Sequence, residues 1–99
     1  MSAGGGSATG PADVEAAARR DFSATEVAGV LVLLATYGTE SYETAPDTIR
    51  LALLRLVNGD ATKLPQWVAW AKLDWRDVLL AVHQTYGTSW QTLFLEGLR

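Results

Sequence analysis

The chain has no cysteine and a single histidine, His83, among its 99 residues. The absence of cysteine excludes a disulfide framework, and one histidine is too few for the zinc sites that are built from Cys or from several His side chains. The chain also lacks a basic surplus, because 8 Lys and Arg stand against 11 Asp and Glu, which leaves a net charge of −3. We therefore expect no metal, no cofactor and no binding that is driven by phosphate backbones or anionic lipid.

Long hydrophobic runs are missing as well. The most apolar stretch, residues 27–39, has 13 residues between Glu26 and Glu40, whereas a membrane-spanning helix needs roughly 20. The opening residues 1–10 contain neither the basic region nor the apolar region of a secretory signal. The expectation is a cytoplasmic protein without a membrane segment.

The length and composition predict one domain. Residues 1–11 are nearly all small and read as a flexible tail, which leaves residues 12–99 as a single helical domain. The Val and Leu run that begins at Val27 is also compatible with a strand. The capping box Ser23-Ala-Thr-Glu26 before it and Gly38 after it favour a helix instead.

Similar signals for the beginning and end of helices recur along the chain. Pro46 is typical of a first helical turn, Gly59 of a helix end and Asp74 of an N-cap, whereas Pro65 predicts a distorted first turn. The fold class that follows is all-α, a compact bundle of five to six short helices. The predicted helices cover residues 12–20, 24–37, 46–58, 61–70, 75–86 and 90–98. The third is expected to be central, because only Arg50 and Arg55 interrupt its apolar residues.

No catalytic constellation is visible in the sequence. His83 has no acidic residue three or four positions away, so no carboxylate of its own helix is placed to orient its imidazole. Asp74 and Asp77 are spaced as an N-cap and its third helical residue, which favours a structural role over a metal or acid-base pair. We expect Arg76, buried or half-buried beside them, to join two helix ends, and we expect the protein not to be an enzyme.

The tryptophans are the most informative feature of the sequence. Trp67 and Trp70 share one predicted helix and widen its apolar stripe to about 160° of the helix surface. These rings either fill the core or remain partly exposed as a contact surface, to which Trp90 and Phe94 are expected to contribute. Because Trp is enriched at interface hot spots, the sequence predicts a module that binds another protein or a second copy of itself.

Two alternatives remain open. The segments 61–72 and 75–86 have the shape of a helix-turn-helix. However, residues 60–86 carry no net charge, and the second segment offers only Arg76 and Gln84 to base edges. Nucleic acid is therefore an unfavoured partner. The other alternative is a small-ligand pocket among the Trp rings.

One segment, residues 42–81, carries a longer motif: an aromatic and acidic turn with Pro, a helix that ends in Gly-Asp, and then Ala-Lys, Asp, an aromatic and Arg-Asp. The matching residues are Tyr42, Glu43, Pro46, Gly59, Asp60, Leu64, Val68, Ala71, Lys72, Asp74, Trp75, Arg76, Asp77, Val78 and Leu79. The segment resembles a family of short bacterial helical proteins without a known activity. The resemblance implies a helical fold and a bacterial origin and adds no reaction. The chain departs from that pattern at Pro65, Trp67 and Trp70, which favours a contact surface peculiar to this protein.

Overall fold

The computed structural model describes residues 9–98, which form six α-helices, one 3₁₀ turn and no strand. This all-α bundle of short helices confirms the predicted fold class. The predicted tail lies outside the described residues as far as residue 8, and α1 already begins at Pro11. The elements are α1 (Pro11–Asp21), α2 (Ala24–Ala35), α3 (Pro46–Val57), the 3₁₀ turn (Ala61–Lys63), α4 (Leu64–Leu73), α5 (Trp75–Tyr86) and α6 (Trp90–Glu96).

The six helices lie within three residues of their predicted bounds, although α4 begins and ends three residues later than predicted. The Glu26 carboxylate accepts a hydrogen bond from the Ser23 N–H (3.2 Å) at the start of α2, and the Asp74 carboxylate accepts one from the Arg76 N–H (3.0 Å) at the start of α5. The distorted turn expected near Pro65 is the 3₁₀ turn that precedes α4. Gly38 follows α2 with φ of 102°, a left-handed conformation that glycine adopts without strain.

Helix α3 is the central element of the bundle, as its apolar sequence predicted. It packs against α1, α4, α5 and α6, and half of its residues are buried among them. Burial of each large aliphatic side chain contributes about 1.5 to 3 kcal/mol, so α3 is the main hydrophobic anchor for the helices around it. Its buried residues are Ile49, Leu51, Ala52, Leu53, Leu54 and Val57.

Helices α4 and α5 pack against each other as well as against α3, and a short turn at Asp74 joins them. The residues that α4 buries in the core are Leu64, Val68 and Ala71, and those that α5 buries are Val78 and Val82. Because the buried stripe of α4 is narrow, the side of this helix that carries its two tryptophans lies at the border between core and solvent.

Candidate functional site

The two tryptophans of α4 stack on each other at the surface of the bundle. Their ring centroids lie 5.3 Å apart with an interplanar angle of 27°. The spacing of three residues places both rings on one side of α4, next to its buried stripe. Trp67, nearer the core, is half-buried, whereas 44% of Trp70 is exposed. Trp70 is therefore not a core residue.

The Trp pair forms one wall of a shallow groove between α4 and α5, which we call the tryptophan groove. Its volume is about 160 Å³, and its other wall is formed by Asp77, Leu80, Ala81 and Gln84 of α5. Leu80 is exposed and continues the apolar surface of Trp70. Within residues 9–98, no cationic side chain lies at salt-bridge distance from Asp77, so the groove combines an apolar surface with one unpaired carboxylate.

The expectation that Trp90 and Phe94 extend this surface is wrong. Only 2% of Trp90 and 6% of Phe94 are exposed, and both side chains belong to the hydrophobic core. Helix α6 packs against α3 and α5, and the spacing of four residues places both rings on its inner face. A helix of only seven residues has one narrow face to bury. The spacing of Trp90 and Phe94 places both rings on one face, and this is the sequence signal that indicates a core role.

An ion pair between a buried carboxylate, Glu43, and the partly exposed Lys72 holds α4 in place from its other side. Glu43 lies in the loop between α2 and α3, and one of its carboxylate oxygens accepts hydrogen bonds from the backbone N–H groups of residues 38, 39 and 40 at 2.8, 2.9 and 3.2 Å. Its other oxygen accepts a hydrogen bond from Lys72 Nζ of α4 at 2.7 Å. Lys72 also donates to the carbonyl of Thr36 at 2.7 Å. The pair therefore ties the last turn of α4 to the loop.

The environment of Glu43 favours its charged form. Burial by itself raises the pKa of a carboxyl, but the hydrogen bonds from Lys72 and from the backbone of residues 38–40 outweigh burial and lower the pKa of Glu43 from 4.5 to about 2. The side chain therefore stays ionised at neutral pH. Sequence analysis did not predict this pair, because 29 positions separate its members and no local pattern joins them.

Arg50, on α3, makes a second polar contact that closes the end of α2. Arg50 Nε donates to the carbonyls of Leu34 and Tyr37 at 3.0 and 3.1 Å, which adds a charged donor for carbonyls in the last turn of α2 and just beyond it. The buried Tyr37 hydroxyl donates to the carbonyl of Thr44 at 2.9 Å. Burial and the nearby Glu43 carboxylate both raise the pKa of Tyr37, and Arg50 lowers it. The net result is a pKa of about 12.

The remaining predicted residues lie at the surface. His83 is exposed on α5. The prediction that Arg76 is buried or half-buried is wrong, because 74% of its side chain is exposed. Within residues 9–98, its only salt bridge is made with Asp74, two positions earlier in the chain (3.1 Å). It therefore joins no helix ends. In the described part of the chain, no three His, Asp or Glu side chains are grouped so that they could hold a metal ion.

The comparisons with known proteins add no relative. The chain matches no family model, no curated protein and no solved structure. The resemblance of residues 42–81 to short bacterial helical proteins therefore stays a prediction. Among residues 9–98, no helix combines the length and the apolar character that crossing a membrane requires.

Proposed function

We propose that this protein is a non-enzymatic interaction module whose tryptophan groove binds a short amphipathic helical segment of another protein. The observation that carries the proposal is the stacked pair of Trp67 and Trp70, with almost half of Trp70 open to solvent. A large ring that folding leaves partly hydrated gains further free energy when a partner covers it. Trp is also the residue most enriched among interface hot spots.

The area of the groove favours a segment over a second copy of the chain. A Trp side chain offers about 150 to 250 Å² in all, so the exposed parts of Trp67, Trp70 and Leu80 together provide roughly 300 Å² at most. A stable protein dimer buries about 800 Å² on each partner. One or two large apolar side chains on a helix of the partner match the smaller area.

The charge at the groove indicates a basic residue on the partner. Asp77 stands at the apolar wall without a cation at salt-bridge distance among residues 9–98, and the whole chain carries a net charge of −3. A Lys or Arg one helical turn from the apolar anchor of the partner would pair with Asp77. Such a pair fixes the orientation of the segment more than it adds to affinity.

Selection from a displayed library of helical peptides tests the proposal, with Trp70→Ser as the variant and Leu73→Ser as the matched control. Leu73 is on the same helix, is exposed and lies outside the groove. We expect the selected peptides to share an apolar anchor and a basic residue, to lose at least tenfold in affinity for Trp70→Ser, and to bind Leu73→Ser within twofold of wild type.

Equal binding of the selected peptides to Trp70→Ser and to wild type would refute the proposal. Sedimentation of the free protein tests whether a second copy of the chain occupies the groove. A dimer in the wild type that the Trp70→Ser variant does not form would assign the groove to a second copy. Titration with duplex DNA tests the helix-turn-helix alternative. Affinity for DNA that falls steeply with salt would favour that alternative, and we expect none at physiological salt.

A further inference from the structure

A second cavity, on surfaces that share no residue with the tryptophan groove, contains two arginines. It has a volume of about 280 Å³ and lies where α1, α3, α5 and α6 meet. Aromatic and aliphatic side chains form the rest of its wall, and no acidic side chain is among them. The lining residues are Arg20, Arg55, Tyr86, Trp90, Leu93 and Phe94.

Aromatic rings hold both guanidinium groups in place. The guanidinium carbon of Arg55 lies 3.7 Å from the centroid of the Tyr86 ring and 5.6 Å from that of Phe94, and the guanidinium carbon of Arg20 lies 4.5 Å from the same Phe94 centroid. The shared ring keeps the two cations on one small region of the cavity wall. Stacking on a ring face fixes the plane of a guanidinium but uses none of its N–H donors.

Most of these donors have no acceptor within the described part of the chain. Arg55 makes one side-chain hydrogen bond there, a long one of 3.5 Å to Asn58 Oδ1, and no carboxylate lies at salt-bridge distance. Arg20 donates from Nε and Nη2 to Asp21 at 2.8 and 3.3 Å, which leaves Nη1. The cavity therefore has a net positive charge, and the aromatic rings fix the planes of its guanidinium N–H donors. The protein as a whole is acidic.

From these observations we infer that the cavity binds a small organic carboxylate with a short, flat apolar tail. The carboxylate accepts hydrogen bonds from Arg55 and from Nη1 of Arg20, since a guanidinium matches a carboxylate in shape and charge. The tail packs against the exposed side chain of Leu93. A volume of about 280 Å³ lies just below the roughly 300 to 1,000 Å³ usual for ligand pockets, so dinucleotide cofactors are too large.

Titration of the protein with benzoate, followed by NMR, tests the inference. The Nε–H signals of Arg20 and Arg55 and the indole N–H signal of Trp90 report on the cavity directly. We expect these signals to shift and saturate with benzoate, and to shift with weaker affinity for acetate and for inorganic phosphate, because neither ion has an apolar tail to pack against Leu93. If no cavity signal shifts with millimolar benzoate, or if phosphate binds as tightly as benzoate, the inference is wrong.

Two variants separate binding from structural stacking. Arg55→Gln removes the charge and should weaken benzoate binding at least about tenfold, whereas Arg19→Gln, an exposed arginine of α1 that pairs with Glu15, should leave it within twofold. Unchanged affinity in Arg55→Gln would limit Arg55 to stacking and overturn the inference.

The second variant, Leu93→Ser, alters an exposed side chain and should leave the fold intact. It should remove the preference for benzoate over acetate while acetate still binds. A preference that survives this change would overturn the placement of the apolar tail.

Discussion

Replacement of Glu43 by Gln removes the charge from the ion pair that ties α4 to the loop between α2 and α3. The amide oxygen of Gln keeps an acceptor for the backbone N–H groups of residues 38–40, but its NH₂ group faces the Lys72 ammonium. A pKa that folding displaces from 4.5 to about 2 corresponds to roughly 3 kcal/mol in favour of the folded state. Because Lys72 is partly exposed, water screens part of this energy, and we expect Glu43→Gln to lose about 2 kcal/mol at neutral pH.

The pH dependence of this loss has a defined sign. The pKa of Glu43 is lower in the folded than in the unfolded chain, so its contribution is complete above about pH 4.5 and disappears as the pH falls through about 2. The Gln side chain does not titrate in this range. The difference in stability between wild type and Glu43→Gln should therefore be largest at neutral pH, decrease below about pH 4.5 and nearly vanish at about pH 2.

Urea denaturation followed by Trp fluorescence at several pH values measures this difference. Glu40→Gln is the matched control, because Glu40 is an exposed carboxylate in the same loop, and it should change the free energy of unfolding by less than about 0.5 kcal/mol. A loss in Glu43→Gln that stays constant between pH 7 and pH 3 would refute the assignment to the charged pair. Equal stability of Glu43→Gln and wild type at pH 7 would refute the importance of the pair itself.

Two further changes test the turn after α2 and the core position of α6. Gly38→Ala should destabilise the protein by about 1 to 3 kcal/mol, since a Cβ there would lie 2.7 Å from Pro46 Cβ on a backbone with φ of 102°; thermal denaturation that shows no loss would contradict this geometry. Trp90→Ala should cost about 3 to 5 kcal/mol, whereas Trp70→Ala should cost much less. Similar melting temperatures for these two variants would refute their different burial.

The helices were largely predictable because their signals are local. A cap such as Asp74 or a turn glycine such as Gly38 acts on the backbone within a few residues of itself, so the sequence carries the information at the place where it is used. The central position of α3 was predictable for a related reason, because its apolar residues lie on several sides of the helix and favour contacts with several neighbouring helices.

The candidate site was predictable only in part. Helical spacing indicates that Trp67 and Trp70 lie at the border between core and solvent. How far each ring is exposed depends on the neighbouring helix α5, which the spacing does not describe. The prediction that Trp90 belongs to the contact surface is wrong, and the spacing of Trp90 and Phe94 on one side of a short helix is the signal that indicates the core. The pairing of Glu43 with Lys72 depends on how the loop packs against α4, and short-range patterns carry no record of such a contact.

The stacked rings on α4 also have an optical consequence. Two indoles whose centroids lie 5.3 Å apart at 27° are close enough for their electronic transitions to couple, and coupled chromophores in a fixed chiral arrangement give circular dichroism bands of opposite sign. The protein thus contains a label-free reporter at its proposed docking position. A peptide that settles beside Trp70 and turns its ring by even a few degrees would alter this signal, which allows binding to be followed without a dye or a tag.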